Sequence, residues 1–276
     1  MKIQALIVLL LTSFLVNAQK FSGKAIYKSH QKTNITLDSA MVARNPGIQK
    51  MMEAKLKQMY QQTYVLNFTQ SESTYKQKAK LKQPNPQAQA GGVMVMSFGS
   101  GGNNDMLYKN LREKRYSNKV DLMSKAFLVK DQLPKYDWEM TGKTKSIGTY
   151  TVYEAKWTRE EDNLSITMVN GESKETNKKV KRTTTVWYTP QIPISNGPGN
   201  WWGLPGLILE VNDGQRTIVC TEVVLNPSEK ITISEPKKGK VVTQEKYEKI
   251  AREKTRDFMN KSRTRDGKGF QIRMGG

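Results

Sequence analysis

Apolar and polar positions alternate along most of this chain, and that period of two predicts strands. Phe21 to Lys32 place Ala25 and Tyr27 on one side and Ile26 on the other. Over 63–69, Tyr64, Leu66 and Phe68 share a face, and the pattern runs on through Ser73 and Tyr75, predicting one long strand. From Met106 the chain reads as successive short strands, over 106–118, 125–131, 136–147, 150–158, 183–189, 205–212 and 215–225. Asp213-Gly214 between the last two predicts a hairpin.

Two stretches change period. Asn45-Pro46 reads as an N-cap followed by a first-turn proline. Ile48, Met51, Met52, Leu56, Met59 and Tyr60 then mark one face of an amphipathic helix ending near Gln62. Thr243 is the N-cap of a second helix, whose apolar face carries Tyr247, Ile250, Ala251, Thr255 and Phe258. Residues 84–105 are too rich in Pro and Gly for a stable element. Their Gly-Ser-Gly-Gly run lacks the Gly-Lys-Ser/Thr of a phosphate loop. Arg159 to Arg182 are polar and charged and read as an excursion beyond the sheet edge. These elements predict a single α+β domain over residues 19–263. Its large curved antiparallel β-sheet, half-barrel-like, is covered by the two amphipathic helices. Insertions fall near 84–105 and 159–182, and 264–276 form a flexible basic tail.

The first residues do not belong to that domain. Lys2 precedes an apolar run from Ile3 to Val16, and small residues at Val16 and Ala18 predict cleavage between Ala18 and Gln19. This is the layout of a cleaved signal peptide, too short for a membrane helix of about 20 residues. The mature chain is therefore expected in the periplasm, or secreted to the cell surface. No later stretch is long and apolar enough to span a bilayer.

Export changes the meaning of the charge. Lys and Arg number 45 against 25 Asp and Glu, a net +20. In the cytoplasm that balance would raise nucleic acid first. Outside it, the counterparts are anionic lipid headgroups, acidic glycans or an acidic partner protein. The basic residues are spread along the chain, without an aromatic–basic repeat, so no nucleic-acid partner is expected.

Familiar catalytic chemistry finds little to stand on. The single cysteine, Cys220, rules out an internal disulfide. It lies in a β-prone run and reads as a buried core thiol, the alternative being an exposed reactive one. His30 is the only histidine, so a multi-imidazole metal site is excluded and any histidine-based triad must run through it. Glu160, Glu161 and Asp162 read as a solvated run, and Asp213, flanking a turn with Glu210, as turn chemistry. No catalytic, cofactor-binding or metal-ligating residue is assigned, and no cofactor is expected.

The most informative stretch runs from Trp187 to Val211. Prolines at 190, 193 and 198 hold it extended. Leu204-Pro205 followed by Gly206 suits a type II turn with the glycine at positive φ. The stretch reads as a rigid crossover that tucks an apolar segment under the sheet. It closely resembles the signature of the GLPGLI family of exported bacterial proteins. Gly203-Leu204-Pro205-Gly206-Leu207-Ile208 is the name motif, and Trp187, Tyr188, Pro193, Gly197, Pro198 and Trp201 fit the lead-in. Leu66-Asn67-Phe68 with Ser73 and Tyr75, Trp138, and Lys145-Ser146-Ile147-Gly148 also fit. Where many relatives carry a cysteine after the Ile-Gly step, this chain has Val152, so any role of that cysteine is not carried over. The resemblance implies an exported protein without an established reaction, and a sheet similar to that of periplasmic lipoprotein carriers.

Two functions follow as expectations. The first is a non-catalytic binding or accessory protein of the envelope. The concave face of its sheet would hold an apolar small molecule or an envelope protein, with Trp201, Trp202 and Leu204 as contacts near the mouth. The second is a surface-associated basic protein that binds acidic glycan or an anionic membrane. A hydrolase has the least support.

Overall fold

The computed structural model describes residues 21–31, 47, 50, 61–78, 105–169 and 172–263. The signal segment with Ala18 and Gln19, most of the helix expected over 45–62, nearly all of the 84–105 loop and the 264–276 tail lie outside the described residues.

The described residues form twelve strands: β1 (Ser22–Gln31), β2 (Gln62–Thr69), β3 (Glu72–Gln77), β4 (Met106–Asn110), β5 (Arg115–Leu122), β6 (Lys125–Gln132), β7 (Glu139–Ile147), β8 (Tyr150–Val169), β9 (Glu172–Thr189), β10 (Leu207–Asn212), β11 (Arg216–Leu225) and β12 (Lys240–Val242). After them comes the helix α1 (Gln244–Arg263). The strands form a single open sheet in the order β12-β6-β5-β4-β3-β2-β1-β11-β10-β9-β8-β7. Every pairing is antiparallel except β12 with β6.

The expected α+β class is therefore corrected. The described residues are mostly strand, in one large open sheet, and among them a single helix packs on it. The physical reason lies in what fills the core. Ile192, Ile194 and Leu204, from the β9–β10 connection, are buried in one cluster with the sheet side chains. Helix α1 touches the sheet at β6, where Tyr247 packs edge-on against Phe127 at 5.7 Å. Its start is as expected: Thr243 Oγ1 accepts the Lys246 N–H at 3.3 Å, and Asp131 accepts the Gln244 N–H at 3.1 Å.

Chain length shows that the sheet curls. Strands β6 and β7 are consecutive in the chain but lie at opposite ends of the sheet. In a flat sheet they would stand about 48 Å apart, yet the chain from Gln132 to Glu139 reaches at most about 25 Å. The two ends must therefore approach each other, with residues 133–138 crossing the gap. The core lies inside the curl. Tyr27 pairs with Tyr64, Leu66 with Tyr75, Tyr75 with Leu107, and Val120 with Phe127, all of them buried core positions. On the outer face the β11–β12 connection runs back towards β6. Its Glu235 is held by Arg115 at 2.9 Å, by Lys130 at 3.5 Å and by Ser117.

Three local expectations differ from the structure. The strand expected over 63–75 is the β2–β3 hairpin, and the one expected over 106–118 is the β4–β5 hairpin. The polar excursion at 159–182 is a ribbon. Strands β8 and β9 stay in register from Tyr153↔Tyr188 out to Val169↔Glu172, well past their neighbours in the sheet. Opposite charges face each other across it, as in Glu160↔Lys181.

Candidate functional site

The β9–β10 connection is shaped by its prolines. Ile194 N–H bonds to Ile192 O, and Gly206 N–H to Leu204 O, both at 2.8 Å, closing three-residue turns around Pro193 and Pro205. The fixed proline φ suits such turns. Leu207 N–H to Ile192 O, at 3.0 Å, and Ile208 N–H to Asn196 O, at 2.9 Å, stitch the connection to β10. The positive φ expected at Gly206 is found at Gly203, with φ 97°. Gly206 is needed for closeness: a Cβ there would stand 2.2 Å from the Thr189 carbonyl oxygen.

Lys109 pins this connection from β4. It is fully buried, and its Nζ donates to Gly197 O at 2.8 Å, Gly199 O at 2.7 Å and Trp201 O at 3.5 Å. Burial pushes its pKa down to about 7. Across the ladder it faces Ser73 and Tyr116.

Next to that pin, aromatic rings gather where the ends of the sheet meet. Tyr136 stacks on Trp201 at 4.9 Å and meets Trp138 at 5.1 Å and Trp157 at 5.0 Å. Trp138 Nε1 donates to Trp202 O at 3.0 Å, and Trp202 Nε1 to Pro134 O at 2.8 Å. The crossing residues are thus fastened to the connection by two indoles.

Between this cluster and α1 lies a cavity of about 430 Å³. Its floor is Asn118, Val120 and Val129; α1 contributes Gln244, Tyr247, Glu248, Ala251 and Arg252; Asn200 closes it beside Trp201. Gln244 is already engaged, accepting from Tyr116 Oη at 2.9 Å and donating to Glu248 at 2.8 Å. The two asparagines differ. Asn200 Oδ1 is buried without a hydrogen bond. Asn118, on the core face opposite Leu107 and Val129, has no side-chain partner among the described residues. A buried acceptor left in that state costs about 1–3 kcal/mol.

The residues singled out from sequence fall into groups. Trp201 and Trp202 are half-buried at the mouth, whereas Leu204 is in the core at 1% exposure. Tyr188, Gly197, Pro198, Gly206, Leu207 and Ile208 are buried; Pro193, Gly203 and Pro205 are exposed. Trp187 lies on the outer face, where Lys145 Nζ sits 4.3 Å above its ring and bonds Glu210 at 2.6 Å. His30 is exposed at the end of β1. Glu161 is not simply solvated. Burial acts to raise its pKa, but hydrogen bonds from Arg182 and Arg159 outweigh that and hold the carboxyl below its ordinary value. Lys109, Asn118 and Asn200 were not distinguished by the sequence. Asn118 carried a signal, an amide between Tyr116 and Val120 on the apolar side of an alternating strand.

Cys220 is buried, and burial pushes its thiol up to about 11. Alkylation of the native protein at pH 8 is expected to be more than about a hundredfold slower than that of the unfolded chain. Mass spectrometry after timed iodoacetamide treatment measures it, and equal rates would contradict the burial. Among the described residues, no group of three His, Cys, Asp or Glu side chains could hold a metal ion.

Residues 138–210 match the family model described as "Protein of unknown function (Porph_ging)". The match runs from Trp138 at the mouth to Glu210 in β10, and so contains the whole β9–β10 connection. No curated protein matches the chain. A solved chain titled "Structure of PNGF-II in C2 space group" is similar over 84% of this chain, at 14% identity and a TM-score of 0.46. This chain spans 32% of that one.

Proposed function

We propose that the chain is an exported, non-catalytic binding protein of the cell envelope, holding a small ligand at the mouth of its curled sheet. Export rests on the N-terminal signal pattern, and the envelope on the resemblance to the GLPGLI proteins. The observation that carries binding is the cavity under α1, lined by Asn200 and by Asn118, whose carboxamide has no side-chain partner among the described residues. Trp201, Trp202, Tyr136 and Trp138 frame the same mouth.

The ligand position differs from a cradle along the middle of the concave face. That stretch is packed by Ile192, Ile194 and Leu204 of the chain itself, so the mouth is the better site. The charge-driven alternative draws on Lys24, Lys28 and Lys76, which are exposed on β1 and β3. Such binding would weaken steeply as salt rises; binding in a cavity would not.

Native mass spectrometry of the protein purified from its own envelope tests the proposal. A small bound mass that unfolding releases is the expected result. A bare protein mass, together with salt-sensitive retention on acidic glycan or anionic vesicles, would replace it with the charge-driven reading.

A further inference from the structure

We propose that the cavity under α1 takes the ring of a neutral sugar. This rests on the binding reading above and adds the ligand's chemical class.

The cavity is built in two halves. Val120, Val129 and Ala251 make an apolar side, and Asn118, Asn200, Glu248 and Arg252 make a polar one. A pyranose has the same division, with C–H groups on its faces and hydroxyls around its edge. A carboxamide offers a donor and an acceptor side by side, which matches the neighbouring hydroxyls of a sugar ring. Asn118 lines the cavity and has no side-chain partner among the described residues, so it can make that pair, with Asn200 in the lining beside it. Gln244 is engaged by Tyr116 and Glu248 and so acts as a wall. Glu248 and Arg252 are exposed at the rim, where they can accept from and donate to outlying hydroxyls. The volume, about 430 Å³, falls within the roughly 300–1,000 Å³ range of small-molecule sites.

Other ligand classes fit less well. An acyl chain would leave the Asn118 carboxamide unpaired when it covers it. A nucleotide phosphate would meet a single cationic side chain, Arg252, beside the carboxylate of Glu248.

The test is a titration of the mature protein with glucose, galactose, mannose, N-acetylglucosamine and their disaccharides. Calorimetry and saturation-transfer NMR are the readouts. At least one sugar is expected to bind saturably, with little change in affinity as salt rises. Asn118→Leu should weaken it by about tenfold or more, because its lost bonds are worth at least about 1.4 kcal/mol. Since Asn118 bonds no other side chain among the described residues, that variant should keep the wild-type melting temperature. Asn200→Ala is the second variant, should the first fail to fold, and is also expected to weaken binding.

No saturable binding of any of these sugars up to about 10 mM, a concentration that would detect even millimolar affinity, would overturn the proposal. So would binding that both variants leave unchanged. A co-purified mass that proves to be a lipid or a peptide would overturn the sugar and leave the binding reading standing. A bare protein mass and no sugar binding would remove both.

Discussion

Gly206→Val is expected to destabilise the protein by about 3 kcal/mol or more, the upper end of the cost of forcing atoms into a packed site. The cause is contact. A Cβ at position 206 would meet the Thr189 carbonyl oxygen at 2.2 Å, its carbon at 2.5 Å and the Pro190 nitrogen at 2.9 Å. All three are backbone atoms of the strand end that pairs with β10, since Thr189 is in register with Leu207. No rotamer change can relieve them. The connection would have to lift, and with it the Leu207–Ile192 bond and the buried Leu204. Gly206→Ala should therefore be nearly as damaging as the valine. Gly214→Ala is the control: its φ is 90° with open space around it, so it bears backbone strain alone, about 1 kcal/mol. Chemical denaturation of the three variants measures the order. Equal losses at 206 and 214 would sink the argument from contact.

Lys109→Met is expected to cost about 1–3 kcal/mol, because the Gly197 and Gly199 carbonyls lose their shared donor. Its larger signature is in the pH dependence. The lysine has a pKa of about 7 in the folded chain against an ordinary value of 10.5. Between those values the unfolded chain binds more protons than the native one, so this group makes stability rise with pH. The gain is complete above about pH 10.5 and is lost as pH falls through about 7. The difference in unfolding free energy between wild type and variant should therefore widen in favour of wild type across that window. Above pH 7 the neutral amine still has two hydrogens for the two nearer carbonyls, so the connection stays pinned. Urea unfolding of both proteins from pH 6 to pH 10 checks this, and a difference independent of pH would contradict it.

What the sequence disclosed follows from the kind of signal each element carries. Strands β1, β6, β10 and β11, the hairpin at Asp213-Gly214 and the cap at Thr243 were legible because their alternation or turn chemistry is local. At Gly214 the φ is 90°, as that turn requires. The breaks inside 63–75 and 106–118 were hidden for the opposite reason. The β4–β5 turn places Lys114 at φ 53° with no glycine to announce it, and the β2–β3 turn, through Gln70 and Ser71, contains neither glycine nor proline. The excursion over 159–182 does leave the sheet, as its charged composition suggested, but its pairing as a β8–β9 ribbon was not read although the sequence between the two strands, Asn170-Gly171, is a strong hairpin signal. Lys109 was out of reach, because burial of a lysine depends on carbonyls about 90 residues further along the chain.

The connection reads from sequence as a crossover, but it joins two neighbouring antiparallel strands, β9 and β10; only the burial of its apolar side chains Ile192, Ile194 and Leu204 is as expected. What it leaves for a ligand was not legible, because the cavity is made by β5, β6, α1 and Asn200 together, and only the curl brings them to one place. The most direct test of the mouth as the binding site is hydrogen exchange of the cargo-loaded protein against the same protein stripped of cargo. The account predicts added protection confined to residues 118–129, 197–202 and 244–252. Protection that falls instead on the outer face of β1 and β3, with the mouth unchanged, would contradict it.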